Sequence, residues 1–244
     1  MTADYDAYAR LYQRSKQLDF RVYGETPDHM RIMGDLRGKS AIDLACGDGF
    51  YTRLAKRAGA GRTVGVDMSP EMIALANSIE KQETCGIEYI CESVESMGIL
   101  GSFDVVSAAF LLNNAPNVET LTTLCRVIAE NLVPGGRLVA TNSQFAEHPG
   151  VSYAAYGMTT DCREAPADGS SYTIDFLMGD DRFALTNYHY FRSTYERILH
   201  STGFDAIRWH RSTITADGLR RLGEPFWQTY LEHPPLVVIE AVKR

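Results

Sequence analysis

Two short segments carry residue types whose spacing suits the binding of a nucleoside. The first is a loop of small residues, Asp43–Gly49 (DLACGDG), which follows an apolar stretch. The second is Asp67, which ends the next apolar stretch 18 residues after Gly49. A loop of small residues lets a ligand lie against backbone amides, and an acid at the next strand end can accept hydrogen bonds from both ribose hydroxyls. Together the two segments predict a nucleoside clamp.

The residues around the glycines distinguish between nucleoside ligands. A dinucleotide site needs GxGxxG or GxGxxA, but the third position counted from Gly47 is Thr52. The sequence also has no GKS or GKT, so a phosphate-binding P-loop is absent. A ligand with a ribose and no pyrophosphate fits better. Because Asp43 in the strand-to-loop turn suits a ligand ammonium group, S-adenosylmethionine, with its ammonium, sulfonium and ribose, matches the set.

The apolar pattern places these residues at the ends of strands in an α/β fold. Apolar segments at 40–45, 63–66, 87–91, 103–110 and 137–141 read as strands, and helical patterns separate them. Strands joined by helices imply right-handed crossovers, so we predict a doubly wound, mostly parallel sheet covered on both faces.

Local signals mark where the helices begin. Ser69 precedes Pro70 and Glu71, which is typical of an N-cap followed by a first helical turn. Pro116-Asn117 indicates another helix start. Apolar spacing predicts two further helices before the first strand, over residues 4–17 and 26–34.

The alternation of strands and helices breaks after residue 141. Residues 143–192 hold nine of the 25 aromatic residues, and Ser171–Met178 and Arg182–Tyr190 predict an antiparallel hairpin. A 50-residue aromatic insertion at this place suggests a lid over a substrate. The elements expected beyond it are a helix from Ser193 with a Glu196 capping box, strands at 204–210 and 236–242, and a helix over 216–231.

Composition excludes several classes of protein. The chain has 24 Lys+Arg against 31 Asp+Glu, a net charge of −7 that disfavours binding to nucleic acid. No apolar stretch is long enough to cross a membrane. Five cysteines without a CxxC pair and six scattered histidines argue against a disulfide framework and a metal site. We therefore expect a cytoplasmic protein with no metal and no nucleic-acid or membrane partner.

Four motifs in order make the sequence resemble the class I S-adenosylmethionine-dependent methyltransferases. They are Asp43–Gly49, Val64–Met72 (VGVDMSPEM), Phe103–Val106 (FDVV) and Leu132–Leu138 (LVPGGRL). The resemblance implies a Rossmann-like sheet of seven strands with an inserted antiparallel, aromatic-rich cap. It implies one domain over 1–244, composed of an N-terminal helical cap (1–36), a cofactor core (38–142), a substrate cap (143–192) and C-terminal helices and strands (193–244).

The resemblance also assigns roles to single residues. Ser93 takes the place of an acid that often meets the adenine in this family, and Glu92 would substitute if the alignment shifts by one. Met72 is open to core packing as well as adenine contact, and Asn113 to a turn as well as a substrate contact. The expected cofactor residues are Tyr12, Arg21, Asp43, Ala45, Gly47, Gly49, Asp67, Met68, Met72, Ser93, Val94 and Phe110. The expected substrate residues are Tyr8, Asn113, Tyr153, Tyr156 and Trp227, of which Trp227 is equally an anchor for the last helix.

The whole chain further resembles toxoflavin synthase-type small-molecule N-methyltransferases. The shared segments are Ser15–Leu18, Ala45–Thr52, Leu111–Asn113 and the Phe226-Trp227 pair. This resemblance implies methyl transfer to nitrogen of a small heteroaromatic natural product, achieved by alignment of the acceptor. If the acceptor nitrogen does not ionise readily, Asn113 or a tyrosine of residues 143–192 is the candidate to orient it. We expect a monomer or homodimer. O- or C-methylation of another metabolite and a non-catalytic cofactor-binding subunit stay open as alternatives.

Overall fold

The computed structural model describes residues 11–164 and 166–244 and places a seven-stranded sheet at its centre. The strand order is β3-β2-β1-β4-β5-β10-β9. Strands β1 to β5 pair in parallel, whereas β10 runs antiparallel to both β5 and β9. The strands of this sheet are β1 Ala41–Leu44, β2 Thr63–Asp67, β3 Glu88–Cys91, β4 Phe103–Ser107, β5 Leu132–Ser143, β9 Phe204–Arg211 and β10 Leu236–Lys243. The predicted mostly parallel, Rossmann-like sheet of seven strands is confirmed.

Helices connect the strands of the sheet. Within the described residues they are α1 Thr26–Met33, α2 Phe50–Arg57, α3 Pro70–Glu83, α4 Val118–Glu130, α5 Arg192–Ser201, α6 Ala216–Leu222 and α7 Glu224–Glu232. A π-helical turn, Arg21–Glu25, leads directly into α1. Of the helix predicted over 4–17, residues 11–15 are helical and residues 4–10 lie outside the described part. None of the described helices is long and apolar enough to cross a membrane.

Side-chain caps fix the starts of two helices as predicted. Ser69 Oγ accepts a hydrogen bond from Met72 N at 3.2 Å, and Asn117 Oδ1 accepts one from Thr120 N at 2.8 Å. Both bonds satisfy amides that have no partner inside the helix. Because such a cap depends on residues three apart in sequence, it is readable before the tertiary structure is known.

The cap is a separate antiparallel sheet of three strands. Its strands are β6 Met158–Thr160, β7 Ser171–Met178 and β8 Asp181–Tyr188. The predicted hairpin is confirmed, and β6 adds a third strand that the sequence analysis missed. Alternate side chains of β7 are buried in an aromatic core that also contains Trp227 and Tyr230 from α7.

The capping box predicted for α5 is wrong. Phe191 is the N-cap residue, and Glu196 accepts from Trp209 Nε1 at 3.0 Å. Asp168 of the cap takes over the capping role, since its carboxylate accepts from Phe191 N at 2.6 Å and from Thr194 Oγ1 at 2.5 Å. A partner more than twenty residues away has no signal in the local sequence.

Replacement of Asp168 by Ala should lower the free energy of unfolding by about 1 kcal/mol, because it removes the acceptor of a helix N-terminus. Ser193→Ala is the matched control and should change stability little. The midpoints of urea unfolding measure both variants. A larger loss of stability in Ser193→Ala than in Asp168→Ala would contradict the role of Asp168 and support the capping box of Ser193 and Glu196.

The helix predicted over 216–231 is two helices. Helix α6 ends at Gly223, whose φ of 82° lies in the left-handed region, and Pro225 opens α7. Glycine adopts this conformation readily and proline favours the first turn of a helix. Trp227 at the centre of α7 is fully buried and donates from Nε1 to Gly218 O at 3.0 Å, which ties the two helices together.

Candidate functional site

A cavity of about 700 Å³ lies between the carboxyl ends of β1, β2 and β4 and the cap sheet. Loops after the parallel strands form one wall, and the cap sheet and the π-helical turn form the other. The lining residues are Tyr12, Phe20, Arg21, Ala45, Gly47, Asp67, Ser69, Glu71, Met72, Ala109, Phe110, Asn114, Ser143, Phe145, Met158, Ile174, Phe176, Leu185, Asn187 and Leu236. Seven of the predicted cofactor residues are among them: Tyr12, Arg21, Ala45, Gly47, Asp67, Met72 and Phe110.

The Asp67 carboxylate is held by two backbone amides at the end of β2. Gly47 N donates to Oδ2 at 2.8 Å and Ser69 N donates to Oδ1 at 2.9 Å. Burial raises the pKa of Asp67, although the two amide hydrogen bonds act in the opposite direction. Each carboxylate oxygen keeps a lone pair, so this fixed group can accept hydroxyl protons from a ribose.

Two residues at this edge of the sheet have an unusual backbone conformation. Ala45, just after β1, has φ of 58°, and Phe110, shortly after β4, has φ of 62°. Residues other than glycine rarely adopt the left-handed region, and such strain is concentrated at functional sites. Both residues line the cavity, so the strained backbone marks the same place as the glycine loop.

Both glycines of the loop are required by its shape. Gly47 has φ of 56° and Gly49 has φ of 79°. A Cβ on Gly49 would clash with the ring of Tyr89, whose Cζ would lie 2.7 Å away. At Gly47 a Cβ would face the cavity and touch Tyr12 at 3.5 Å. Gly49 thus leaves room for the Tyr89 ring behind the loop, while Gly47 exposes its backbone to a ligand.

The segment before the π-helical turn covers the glycine loop. Gln13 Nε2 donates to Asp48 Oδ2 at 3.2 Å, and Arg14 pairs with Asp181 at the tip of the cap hairpin. Tyr12 lines the cavity and receives a hydrogen bond at 3.1 Å from the buried ammonium group of Lys16. This segment therefore links the cofactor loop to the cap. Tyr8, a predicted substrate residue, lies outside the described residues.

Arg21 is a buried cation that lines the cavity. Its Nη1 donates to both carboxylate oxygens of Glu25, at 2.7 and 2.8 Å. The guanidinium lies 5.2 Å from the ring centroids of Phe20 and Phe176 and 5.5 Å from that of Phe110. Nε of Arg21 has no hydrogen-bond partner among the described residues, which leaves a donor for a ligand carboxylate. The attraction of Glu25 raises the pKa of Arg21 against the effect of burial, so the cation persists.

Asp43 is buried behind the cavity lining in a polar network. Its carboxylate accepts from Thr52 Oγ1 and Ser107 Oγ, both at 2.7 Å. His29 continues the network through its two ring nitrogens, 3.1 Å from Ser107 Oγ and 2.8 Å from Thr141 Oγ1. Asp43 thus ties β1 to α2 and β4, and its contact with a ligand ammonium stays a prediction. No local pattern in the sequence points to His29, because its partners are 78 and 112 residues away.

Opposite pKa shifts of Asp43 and His29 should give opposing effects of pH on stability. Burial raises the pKa of Asp43 from 3.8 to about 6, so its contribution to stability is present below 3.8 and lost as the pH rises to about 6. Burial, aided by Lys16, lowers the pKa of His29 from 6.5 to about 3, so its contribution is present above 6.5 and lost as the pH falls.

Asp43→Asn should therefore make the free energy of unfolding rise more steeply with pH than in the unmodified chain. Between 3.8 and about 6 the difference corresponds to one proton, or about 1.4 kcal/mol per pH unit. Urea unfolding at several pH values measures the slope, and His29→Gln should shift it in the opposite direction. If the free energy of unfolding changed with pH at the same slope in the unmodified chain and in Asp43→Asn, the raised pKa of Asp43 would be contradicted.

The predicted adenine contacts divide into three groups. Met72 lines the cavity together with Ser69 and Glu71, so its side chain faces the ligand space. Met68 is 73% exposed and lies outside the lining. Val94 is buried in the core of the sheet, and Ser93 does not line the cavity. Adenine contacts from Met68, Ser93 and Val94 stay predictions.

Three of the predicted substrate residues, Tyr153, Tyr156 and Trp227, lie behind the cavity wall. Tyr153 donates to His233 O at 2.9 Å and Tyr156 donates to Phe226 O at 2.7 Å, so both hydroxyls are engaged by backbone. Tyr156 also stacks on Trp227, with centroids 5.7 Å apart. Because none of the three lines the cavity, direct contact with an acceptor stays a prediction for each of them.

The predicted residue Asn113 is buried, and its neighbour Asn114 is the one that faces the cavity. Asn113 is 1% exposed, and neither polar atom of its amide has a hydrogen-bond partner among the described residues. Asn114 lines the cavity instead. The 3-10 turn Leu112–Asn114 after β4 decides which of the two faces the ligand, and no sequence pattern fixes that turn. An orienting role for Asn113 stays a prediction.

Residues 41–136 match the protein family described as methyltransferase domain. The matched residues contain strands β1 to β4, the glycine loop and Asp67. Among curated relatives, the demethylmenaquinone methyltransferase of Lactococcus lactis is 36% identical over 124 residues, which are 49% of this chain and 47% of that protein. A ubiquinone biosynthesis O-methyltransferase of Xanthomonas oryzae is 30% identical over 113 residues, 46% of each chain. The match spans about half the length of these curated relatives.

Solved structures of low sequence identity share the fold. A putative S-adenosylmethionine-dependent methyltransferase from Listeria monocytogenes has a TM-score of 0.66 at 19% identity, covering 90% of this chain and 96% of the other. CalS10, an amino pentose methyltransferase from Micromonospora echinaspora solved with S-adenosylmethionine bound, has a TM-score of 0.62 at 16% identity, covering 98% and 97%. Both alignments span at least 90% of this chain.

Proposed function

We propose that this protein is an S-adenosylmethionine-dependent methyltransferase that acts on nitrogen of a small heteroaromatic acceptor. The observation that carries the proposal is the cavity itself, which joins a nucleoside-binding end to an aromatic end. At the first end are Asp67 and the glycine loop, and at the second are Phe145, Phe176 and their apolar neighbours. The match of residues 41–136 to the methyltransferase domain family supports the proposed methyl transfer, and the toxoflavin synthase-type resemblance of the sequence supports nitrogen as its target.

The residues at the nucleoside end fit S-adenosylmethionine. Asp67 would hold the ribose hydroxyls, the backbone of Ala45 and Gly47 would lie along the methionyl part, and the unpartnered Nε of Arg21 would meet the carboxylate. When bound, this cofactor would supply a methyl group on a sulfonium, from which the neutral thioether is a good leaving group. The task of the chain is to align the acceptor and to exclude water.

The acceptor end lacks a general base among the described residues. The lining residues of the cap sheet, of the end of β5 and of the turn that follows it are Phe145, Met158, Ile174, Phe176, Leu185, Asn187 and Ser143, none of which is an acid, a histidine or a lysine. A ring nitrogen with an available lone pair needs no base to attack a methyl group, whereas a phenol or a carbon acid does. This difference favours nitrogen as the methylated atom.

O- or C-methylation of a quinone-type ring is the second candidate. It is favoured by the names of the curated relatives, which act in menaquinone and ubiquinone biosynthesis. Those matches cover about half of each chain, so the acceptor of the relatives carries less weight than the lining of the cap. A non-catalytic cofactor-binding subunit is the remaining alternative and would bind S-adenosylmethionine without turnover.

Titration calorimetry with S-adenosylmethionine and, separately, with NADPH tests the cofactor assignment. We expect saturable binding of S-adenosylmethionine alone, and binding of the dinucleotide alone would overturn the proposal. A mass-spectrometric screen of flat heteroaromatics, phenols and quinols for gain of one methylene then tests the acceptor. Products only from phenols or quinols would support the second candidate, and binding without any product would support the non-catalytic subunit.

A further inference from the structure

A chain of hydrogen bonds connects the polar groups of the acceptor wall. Tyr172 Oη and Ser143 Oγ are 2.6 Å apart, and Ser143 Oγ donates to Asn187 Oδ1 at 2.8 Å. Asn187 Nδ2 then donates to Asn114 Oδ1 at 3.3 Å. We call Tyr172, Ser143, Asn187 and Asn114 the amide relay. Its last three members line the cavity and come from β5, β8 and the turn after β4.

Two backbone carbonyls fix the orientation of both amides. Asn187 Nδ2 also donates to Thr186 O at 3.1 Å, and Asn114 Nδ2 donates to Phe110 O at 2.8 Å. A carbonyl oxygen only accepts hydrogen bonds, so the facing atom must be the amide nitrogen in each case. A flip of either amide would place two oxygens against each other, which removes the usual ambiguity between amide oxygen and nitrogen.

The direction of the relay follows from this orientation. Because the single hydroxyl proton of Ser143 goes to Asn187, Tyr172 is the donor to Ser143. Burial raises the pKa of Tyr172, so its hydroxyl keeps its proton over the physiological range. Among the described residues, these bonds leave one N–H of Asn114 and one lone pair on each amide oxygen without a partner.

We propose that the amide relay selects acceptors that carry a neutral lactam edge, in which a ring N–H lies beside a ring C=O. The inference rests on the proposed methyltransferase function and names the acceptor class for the same site. The N–H of Asn114 donates to the acceptor carbonyl, and an amide oxygen of the relay accepts from the acceptor N–H. Phe176 and Phe145 supply aromatic surface for the flat ring.

The amide relay would recognise its acceptor through uncharged groups. Neither an amide nor a protonated tyrosine removes a proton from a ring, so the relay orients the acceptor and does not activate it. A site with fixed donors and acceptors rejects an analogue that cannot match them, because its own polar groups are then left unpaired. Selectivity should therefore depend on the edge of the ring more than on its area.

Binding of two matched probes to the protein saturated with S-adenosylhomocysteine tests the proposal. Quinazolin-4-one has a lactam edge, and 3-methylquinazolin-4-one has nearly the same ring with its N–H blocked. We expect quinazolin-4-one to bind about tenfold more tightly, because 3-methylquinazolin-4-one cannot make one of the two hydrogen bonds. Fluorescence or calorimetric titration measures both affinities.

Three variants separate the relay from general effects on folding. Asn187→Leu should remove the preference between the probes, and Tyr172→Phe should weaken it by freeing the Ser143 hydroxyl to turn. Tyr190→Phe is the matched control, since Tyr190 is another buried tyrosine and donates to Ala115 O at 2.9 Å outside the relay. The control should keep the full preference between the probes.

Equal affinity of the two probes, or no binding of either while S-adenosylhomocysteine binds, would overturn the proposal. A preference that persists unchanged in Asn187→Leu would also overturn it. Failure to bind S-adenosylhomocysteine at all would contradict the proposed function instead. The two failures are therefore distinguishable in one set of titrations.

Discussion

Asp67→Ala will bind S-adenosylmethionine at least about 100-fold more weakly than the unmodified chain, because two charge-assisted hydrogen bonds to the ribose are lost. The carboxylate is already oriented by Gly47 N and Ser69 N, so binding does not have to order it. Titration calorimetry measures the loss, and Asp67→Asn, which preserves the shape of the side chain, should lose less. Affinity in Asp67→Ala equal to that of the unmodified chain would contradict the ribose role.

Asp104→Ala is the matched control for this prediction. Asp104 also accepts a backbone hydrogen bond, from Ser40 N at 2.7 Å, but it lies near the start of β4, whereas the cavity is at the carboxyl end of that strand. Its replacement should lower stability without changing the affinity for S-adenosylmethionine. A large loss of affinity in both variants would indicate that destabilisation, and not the missing carboxylate, weakens binding.

Arg21→Met will lower the free energy of unfolding by about 3–5 kcal/mol, because it leaves the Glu25 carboxylate buried without its cation. Glu25 is 2% exposed, and its remaining hydrogen-bond donor is Tyr51 Oη at 2.7 Å. Urea unfolding measures the loss. The double variant Arg21→Met with Glu25→Gln should recover much of it, since the uncompensated charge is gone while an acceptor for Tyr51 remains.

The Arg37–Asp35 pair provides the comparison for Arg21. It also joins an arginine to a carboxylate at 2.7 Å, with Asp in place of Glu, but both side chains are exposed, so water already solvates the charges. Arg37→Met should therefore change stability little. Equal losses in Arg21→Met and Arg37→Met would show that burial of the ion pair does not cause the instability of Arg21→Met. A double variant as unstable as Arg21→Met would lead to the same conclusion.

The sequence by itself determined the sheet and the nucleoside end of the cavity. The strands, the caps at Ser69 and Asn117, the glycine loop and Asp67 all depend on neighbours within a few residues or on the period of the apolar pattern. In a doubly wound fold the ends of β1 and β2 lie side by side, so local motifs suffice to place a loop and an acid together.

The tertiary structure alone decided the acceptor end. The cap is recognisably aromatic from its composition, but Tyr153, Tyr156 and Trp227 pack behind the cavity wall. Phe20 and Phe176 line the cavity instead. Whether an aromatic ring faces a cavity or a neighbouring ring depends on the element packed against it, which is distant in sequence.

The partners of long-range polar contacts also cannot be predicted from the local sequence. His29 reaches Ser107 and Thr141, and Asn187 reaches Asn114, across separations of 73 to 112 residues. A histidine or asparagine alone carries no local pattern that names such a partner. The buried network therefore exists only once α1 has packed on the seven-stranded sheet, and the amide relay exists only once the two sheets have packed together.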